Sequence, residues 1–167
     1  MRELGKVRKA CGGVLGATGL IMVFVLSIQD DFQSDVWRDY SEGEPQLLYV
    51  FCGILVAAFL GAGFAGLLLA DGFGRTGLNG FVAFLACAPV ATMLGGAIAV
   101  LLLAPVLESM LTLPQFTELV LIGALFVPKN MLENETVALI WVMQMFIAQW
   151  AMHCARRREQ NSANVTG

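Results

Sequence analysis

The chain has 167 residues, of which 57% are hydrophobic and 14% charged, and its formal net charge at pH 7 is −3. This composition gives no support for binding nucleic acid, because that function depends on a concentrated basic surface. Charged residues are absent from four long apolar stretches, which cover residues 10–29, 47–70, 80–107 and 136–155.

A membrane-spanning helix needs about 20 apolar residues to cross a hydrocarbon core about 30 Å thick. Each of the four stretches reaches that length. The predicted fold class is therefore an all-α integral membrane protein built as a four-transmembrane-helix bundle. We expect a single membrane domain, residues 10–155, between a basic tail at 1–9 and a basic, then polar tail at 156–167.

The basic residues predict the orientation of the bundle, since Lys and Arg near the ends of spans stay on the cytoplasmic side. Of the ten Lys and Arg residues, all except Arg38 and Lys129 lie in the two tails or in the loop that holds Arg75. The segments on the opposite side, 30–46 and 108–135, hold most of the 13 acidic residues. We therefore expect both termini in the cytoplasm, an acidic external face and a location in the bacterial inner membrane.

The first apolar stretch is interpreted as a retained anchor rather than a cleaved signal peptide. It is longer than the apolar region of a signal peptide, which is about 7–15 residues, and no small-x-small cleavage site precedes the acidic loop. In that loop Asp31, Asp35 and Asp39 recur at every fourth position, which would suit a cation only if the loop were helical. A solvated acidic loop is the favoured interpretation.

The second and third stretches carry a small residue at every fourth position along one helix face. These residues are Gly53, Ala57, Gly61 and Ala65 in the second stretch, and Ala83, Cys87, Ala91, Gly95 and Ala99 in the third. Small faces let helix backbones approach closely in lipid, where little hydrophobic force drives association. We expect an antiparallel hairpin that packs through these faces. A surplus of small faces leaves open that one of them docks a partner subunit.

The segment 71–80 between these two helices is rich in glycine. A phosphate-binding loop would need Gly-Lys-Ser/Thr at the start of a helix that follows a strand, and neither is present here. The segment is therefore predicted to be a tight turn with glycines at positive φ. Arg75 within it is predicted to be a cytoplasmic anchor that reaches lipid phosphates or an acidic side chain of a partner.

A short apolar run at residues 119–127 follows the third stretch and is bracketed by Pro114 and Pro128. At about 1.5 Å per residue, the run is too short to cross a bilayer. A fifth span would also place the arginines of the C-terminal tail outside. We therefore predict a short interfacial or shallow re-entrant helix on the external side before the last span, with an ordinary apolar loop as the alternative.

The fourth stretch is bulkier and more polar than the others. Its Gln144 and Gln149 are predicted to hydrogen-bond across helices or to a partner, and Trp150 is predicted to lie in the interfacial aromatic belt. The membrane anchors predicted at its cytoplasmic end are Arg156, Arg157 and Arg158.

No catalytic, cofactor-binding or metal-binding residue is predicted. His153 is the single histidine, and we expect it among the lipid headgroups rather than on a metal or haem. The four cysteines fall one in each stretch and form no Cys-x-x-Cys pair. They are therefore interpreted as small apolar helix residues rather than as redox groups.

The apolar stretches contain no Asp, Glu, Lys or Arg, which disfavours ion pumps and ion-coupled transporters that act alone. The absence of a clustered catalytic motif likewise disfavours an enzyme. The favoured function is a non-catalytic accessory or assembly subunit of a larger membrane complex, of the energy-transducing or photosynthetic type. Its expected partners are other integral membrane subunits and lipids, and self-association is left open. The alternatives are a small membrane subunit of a multi-subunit transporter and an autonomous small membrane enzyme.

Overall fold

The computed structural model describes residues 4–29, 35, 38, 41, 46–107 and 113–165. The helices in this part of the chain are α1 (Leu4–Gln29), α2 (Gln46–Leu69), α3 (Gly77–Leu107), α4 (Leu113–Glu133) and α5 (Glu135–Val165). A short 3-10 turn, Ala70–Gly72, follows α2, and no strand occurs among the described residues. These elements confirm the predicted all-helical chain.

Four of the helices are long and apolar enough to cross a membrane, which is consistent with a helical membrane bundle. Their candidate spans are Val7–Ile28, Leu48–Gly72, Gly77–Leu103 and Glu135–Arg158. The helices continue beyond the charge-free stretches, since α1 includes Arg8 and Lys9 and α5 includes the three arginines of the C-terminal tail. Long basic side chains permit this, because their aliphatic stems lie along apolar surface while the charged ends reach water.

The segment before the last span forms a longer helix than the sequence predicted. Helix α4 has 21 residues rather than the apolar run of 119–127 alone, and it contains Pro128 in its interior. Pro114 does not delimit the helix, because it lies in the first turn, where a missing backbone N–H costs no intrahelical bond. The α4–α5 junction is a single residue, Asn134, whose side-chain oxygen accepts hydrogen bonds from the backbone N–H groups of Thr136 and Val137 at 2.9 and 3.4 Å.

The helices surround a common interior. Helix α2 packs between α1 and α3, α4 packs on α3 and α5, and α5 also packs on α1. One buried cluster lies around the loop that joins α2 to α3 and consists of Val7, Cys11, Leu15, Ala65, Ala70, Phe73, Phe84, Ala88, Ala91, Met145, Ala148 and Met152. A smaller cluster, formed by Met22, Leu26 and Val137, lies between α1 and α5 and is covered by Val127 and Met131 of α4.

Glycines allow the helix backbones to approach closely. A Cβ atom on Gly61 would lie 2.8 Å from the Ala99 backbone nitrogen, so α2 and α3 meet here without any side chain between them. A Cβ on Gly66 would lie 2.9 Å from the Cys11 carbonyl oxygen of α1, and one on Gly96 would lie 2.9 Å from the Gly123 carbonyl carbon of α4. These contacts hold the helix positions around the interior.

Candidate functional site

The hairpin loop, residues 70–76, turns back against α3 and α5 instead of projecting from the bundle. A Cβ atom on Gly80 would lie 2.6 Å from the Arg75 carbonyl carbon, so the loop runs beside the first turns of α3. On the α5 side, a Cβ on Gly74 would lie 2.7 Å from the Met152 carbonyl carbon. Gly74 has φ of 73° and Gly77 has φ of 77°, as the sequence predicted for this segment. Glycine is required at Gly74 both for its backbone conformation and for the close approach.

Two polar side chains of α5 hold the hairpin loop in place. Gln149 accepts a hydrogen bond from the Gly74 N–H at 2.7 Å and donates one to the Arg75 carbonyl oxygen at 3.3 Å. Arg156 donates to the carbonyl oxygens of Phe73 at 3.0 Å and Ala70 at 2.9 Å. These four bonds tie the backbone of the loop to α5, and the Ala70 carbonyl oxygen also accepts the Phe73 N–H at 3.3 Å within the 3-10 turn.

Phe73 anchors the loop from within. Its side chain is fully buried, and its ring lies edge-on to that of Phe84 on α3 with the centroids 6.0 Å apart. Phe84 also packs against Phe146 on α5, with the centroids 5.6 Å apart. The loop is thus fastened by an aromatic side chain inside the bundle as well as by hydrogen bonds at its edge. At the surface Asp71 pairs with Arg8 of α1 at 3.3 Å, an exposed ion pair that adds little stability.

A basic pocket of about 450 Å³ lies between the hairpin loop and α5. Its lining residues are Gly74, Arg75, Thr76, His153, Arg156 and Arg157. No described Asp or Glu side chain contributes to this lining. The pocket therefore concentrates positive charge at the end of the bundle where two of the candidate spans end.

An apolar cavity of about 570 Å³ lies farther along the bundle, and all five described helices line it. Its lining hydroxyls already donate to backbone carbonyls of their own helices, Thr18 to Val14 at 2.9 Å and Thr92 to Ala88 at 2.9 Å. Trp141 in turn donates from its indole nitrogen to the Thr92 hydroxyl oxygen at 2.9 Å. Water would find few partners here, because a buried water needs about two to four hydrogen bonds.

The size of the apolar cavity bears on what it contains. The cavity is open at the surface of the bundle, because exposed residues of α4 such as Ile122 and Phe126 are part of its lining. It can therefore be reached from outside the bundle. The volume lies within the range of about 300–1,000 Å³ that is usual for small-molecule sites. An apolar occupant suits the lining better than water does.

The predicted small-residue faces are divided among several contacts. In α3, Gly95 and Ala99 meet Gly61 of α2, whereas Cys87 faces the hairpin loop at Gly72, and Ala91 is buried near the interior. Ala83 is half-buried on the same side of α3.

In α2, the predicted face is covered unevenly, and a neighbouring stripe of small residues, which includes Ala58 and Ala62, contacts a different helix. Ala57 and Ala65 are buried, but a Cβ on Gly53 would meet only a Leu103 methyl group at 4.0 Å. On the neighbouring stripe, Ala58 and Ala62 lie close to Gly19 of α1. The α2 stripes therefore pack within the chain around Gly61 and Ala65 and are only loosely covered at Gly53.

The two glutamines of α5 differ in their surroundings. Gln149 joins the hairpin loop, whereas the Gln144 side-chain oxygen is buried with no hydrogen-bond partner in the described part of the chain. The predicted bond from Gln144 to another helix or to a partner stays a prediction.

The predicted membrane anchors lie mostly at the surface. Arg75, Trp150, Arg157 and Arg158 are exposed, whereas Arg156 is half-buried against the hairpin loop. Of the three acids noted in the segment between α1 and α2, Asp35 pairs with Arg38 at 2.8 Å, and the other two lie outside the described residues. Within the described ranges, no three His, Cys, Asp or Glu side chains are grouped as metal ligands.

Sequence reasoning missed the role of the hairpin loop in forming a pocket. It interpreted the glycines as a simple turn and did not consider Phe73. A signal was present, because a bulky aromatic residue between two glycines in a short polar loop is better explained by burial than by exposure.

Comparison with protein-family models, with curated proteins and with solved structures gives no match to this chain. Functional inference therefore rests on the residues and their geometry.

Proposed function

We propose that the protein is a non-catalytic accessory or assembly subunit of a larger membrane complex, of the energy-transducing or photosynthetic type. The main support comes from the uneven covering of the spans. In the apolar window of α3, 17% of the residues are buried within the chain, against 44% of those in the window of α1. A span covered so little has surface for a partner helix as well as for lipid.

The outward face of α3 is suited to close helix packing. Val82, Ala86 and Val90 follow one another at every fourth position and are exposed, with Pro89 and Met93 exposed beside them. The small Ala86 side chain lies between two larger ones, which lets a partner helix approach there. Because Gly61 and Ala65 of α2 pack within the chain, whereas this face of α3 is exposed, we assign the partner interface to this face of α3.

The bundle interior supports a binding role rather than a chemical one. The described groups that line the apolar cavity are mostly hydrocarbon, and Asp35 is the ionisable side chain among them. Its carboxylate pairs with Arg38. A catalytic site would require a nucleophile, a base or a stabilising charge placed against a substrate, and the described lining does not assemble such a set.

The proposed orientation has both termini in the cytoplasm of a bacterium, with α4 on the external side as an interfacial or shallow re-entrant helix. Its support is the charge distribution of the chain. Helix α4 packs on α3 and α5, and its Val127 and Met131 cover the cluster formed by Met22, Leu26 and Val137.

Cysteine labelling tests this orientation. In a variant lacking the native cysteines, Leu132→Cys places a thiol where the side chain is 90% exposed at the end of α4. A membrane-impermeant maleimide should label this thiol in intact cells, whereas Arg157→Cys should be labelled only after permeabilisation. The reverse pattern would contradict the orientation.

Isolation of the native complex tests the function. The chain, tagged after Gly167, is extracted from native membranes with a mild detergent, and the co-migrating proteins are identified by native gel, absorption spectrum and mass spectrometry. Recovery with a large pigmented or haem-containing assembly is expected. Recovery with one many-helix permease would instead indicate the small subunit of a transporter, and recovery alone would contradict both functions.

A matched pair of variants locates the interface. Ala86→Leu should release the chain from its complex, because the added bulk projects from the proposed partner face of α3. Ala17→Leu makes the same change at an exposed position of α1 and should leave the complex intact. Equal retention of both variants would exclude the α3 face.

A further inference from the structure

The proposed role as a subunit does not explain the basic pocket between the hairpin loop and α5. We propose that this pocket binds a phosphate group, carried either by an anionic lipid headgroup or by a free phosphate. The inference does not depend on the identity of a partner complex, since all of its residues belong to this chain.

Arg156 gives the pocket a prearranged cation. Its Nε and one terminal nitrogen donate to the carbonyl oxygens of Phe73 and Ala70 at 3.0 and 2.9 Å. A guanidinium has five N–H donors in one rigid plane, so these two bonds orient the group while using only part of its donors. Because Arg156 also lines the pocket, an anion there would meet a side chain that is already ordered.

Two further arginines, a threonine and a histidine complete the lining. Arg75 and Arg157 are exposed, and neither pairs with an acidic side chain in the described part of the chain. Thr76 and His153 lie beside them. Arginine is the side chain best matched to phosphate, because its planar fork can donate two parallel hydrogen bonds to the oxygens.

The nearest acid of the loop does not neutralise this charge. Asp71 lies on the hairpin loop but pairs with Arg8 of α1 at 3.3 Å, and it is not part of the pocket lining. Three guanidinium groups therefore face one pocket without a described carboxylate among them. Like charges gathered in this way repel one another, and an anion bound between them relieves the repulsion.

The position of the pocket limits the ligand to a group found at the membrane surface. Two of the four candidate spans end close in sequence to the lining residues, one at Gly72 and the other at Arg158. Basic pockets between membrane helices on the cytoplasmic side are known to bind phospholipid headgroups. The Gly74 N–H is already bonded to Gln149, so recognition here falls to side chains rather than to a backbone cradle of the P-loop type.

Binding to the purified full-length protein in a neutral detergent tests the proposal. Phosphatidylglycerol, phosphatidylcholine and inorganic phosphate are titrated separately at physiological ionic strength, and binding is followed by native mass spectrometry and by thermal stabilisation. Stabilisation by phosphatidylglycerol alone would identify a lipid headgroup site. Equal stabilisation by inorganic phosphate would identify a site for free phosphate, and no effect of either would overturn the proposal.

Two charge variants distinguish binding in the pocket from a general attraction of the phosphate to the positive charge of the protein. Arg157→Gln removes an exposed arginine that makes no described bond to the loop. It should weaken binding about tenfold or more, because a charge-assisted hydrogen bond to the phosphate is lost. Lys9→Gln removes an exposed charge that does not line the pocket. It should weaken binding about twofold or less, because an exposed charge that does not touch the ligand is screened by salt. Equal losses in the two variants would overturn the proposal.

Discussion

The side-chain oxygen of Gln149 accepts a hydrogen bond from the Gly74 backbone N–H at 2.7 Å, which joins the last span to the hairpin loop across 75 residues of sequence. The same amide group donates to the Arg75 carbonyl oxygen at 3.3 Å. One side chain therefore holds both backbone partners on either side of the peptide bond between Gly74 and Arg75. This relationship fixes one wall of the basic pocket before any ligand arrives.

Removing this clamp should destabilise the bundle. Gln149→Leu keeps a similar bulk but leaves the Gly74 N–H without its acceptor, at an expected cost of about 1–3 kcal/mol. The change is measured as a lowered midpoint of thermal unfolding in detergent.

Gln144→Leu is the matched control for that experiment, because the Gln144 side-chain oxygen is buried without a described partner. This substitution should be neutral or stabilising by up to about 1 kcal/mol, since it removes an unpaired polar atom from an apolar setting. A larger loss at position 144 than at position 149 would contradict the assigned hydrogen bonds.

The contact between α2 and α3 should depend more on Gly61 than on Gly53 of the predicted face. Gly61→Ala would force a methyl group to within 2.8 Å of the Ala99 backbone nitrogen, and overpacking of this kind costs about 1–3 kcal/mol. Gly53→Ala meets only a Leu103 methyl group at 4.0 Å and should change stability by less than about 1 kcal/mol. Unfolding midpoints of the two variants, recorded side by side, should differ; equal midpoints would refute the close approach.

The hydrogen bond between Trp141 and Thr92 can be measured by a double-mutant cycle. Trp141→Phe removes the indole donor, and Thr92→Val removes the hydroxyl acceptor with little change of shape. The coupling energy should be about 0.6–1.7 kcal/mol, the range found for side-chain hydrogen bonds between membrane helices. A cycle in which the two single effects simply add would show that the 2.9 Å contact contributes no stability.

Helix α4 should detach selectively when a methyl group is added where it contacts α3. Gly123→Ala would place a methyl group 2.9 Å from the Gly96 carbonyl oxygen, so we expect faster hydrogen exchange in α4 and little change in α2. Gly13→Ala is the comparison, because nothing lies within 4 Å of that position. Unchanged exchange in α4 of the Gly123 variant would mean that other contacts suffice to hold it.

Local features of the hairpin loop were only partly accessible to sequence reasoning. Positive φ at Gly74 and Gly77 was predictable, because short loops rich in glycine use that conformation. The partner of Phe73 was not, since Phe84 of α3 comes to lie beside it only in the folded bundle. The bonds of Gln149 and Arg156 to the loop likewise join segments that no local pattern relates.

The boundaries of α4 could not be predicted from the positions of its prolines. Proline is a reliable signal against a helix interior, yet Pro114 and Pro128 both lie within α4. At Pro114 the first turn requires no N–H. At Pro128 the helix continues without that backbone hydrogen bond, and Val127 and Met131 beside it pack against the cluster of Met22, Leu26 and Val137.

The sequence by itself determined that the chain is helical and carries four spans long enough for a membrane, because these properties follow from runs of apolar residues and the thickness of a bilayer. Its small residues also indicated where helices could approach closely. The tertiary structure alone decided which helix meets which face, since a glycine stripe permits contact with any neighbour. It also decided that Gln149 and Arg156 of α5 hydrogen-bond to the hairpin loop and that α5 lines the basic pocket. Those contacts form only when segments distant in sequence are brought together.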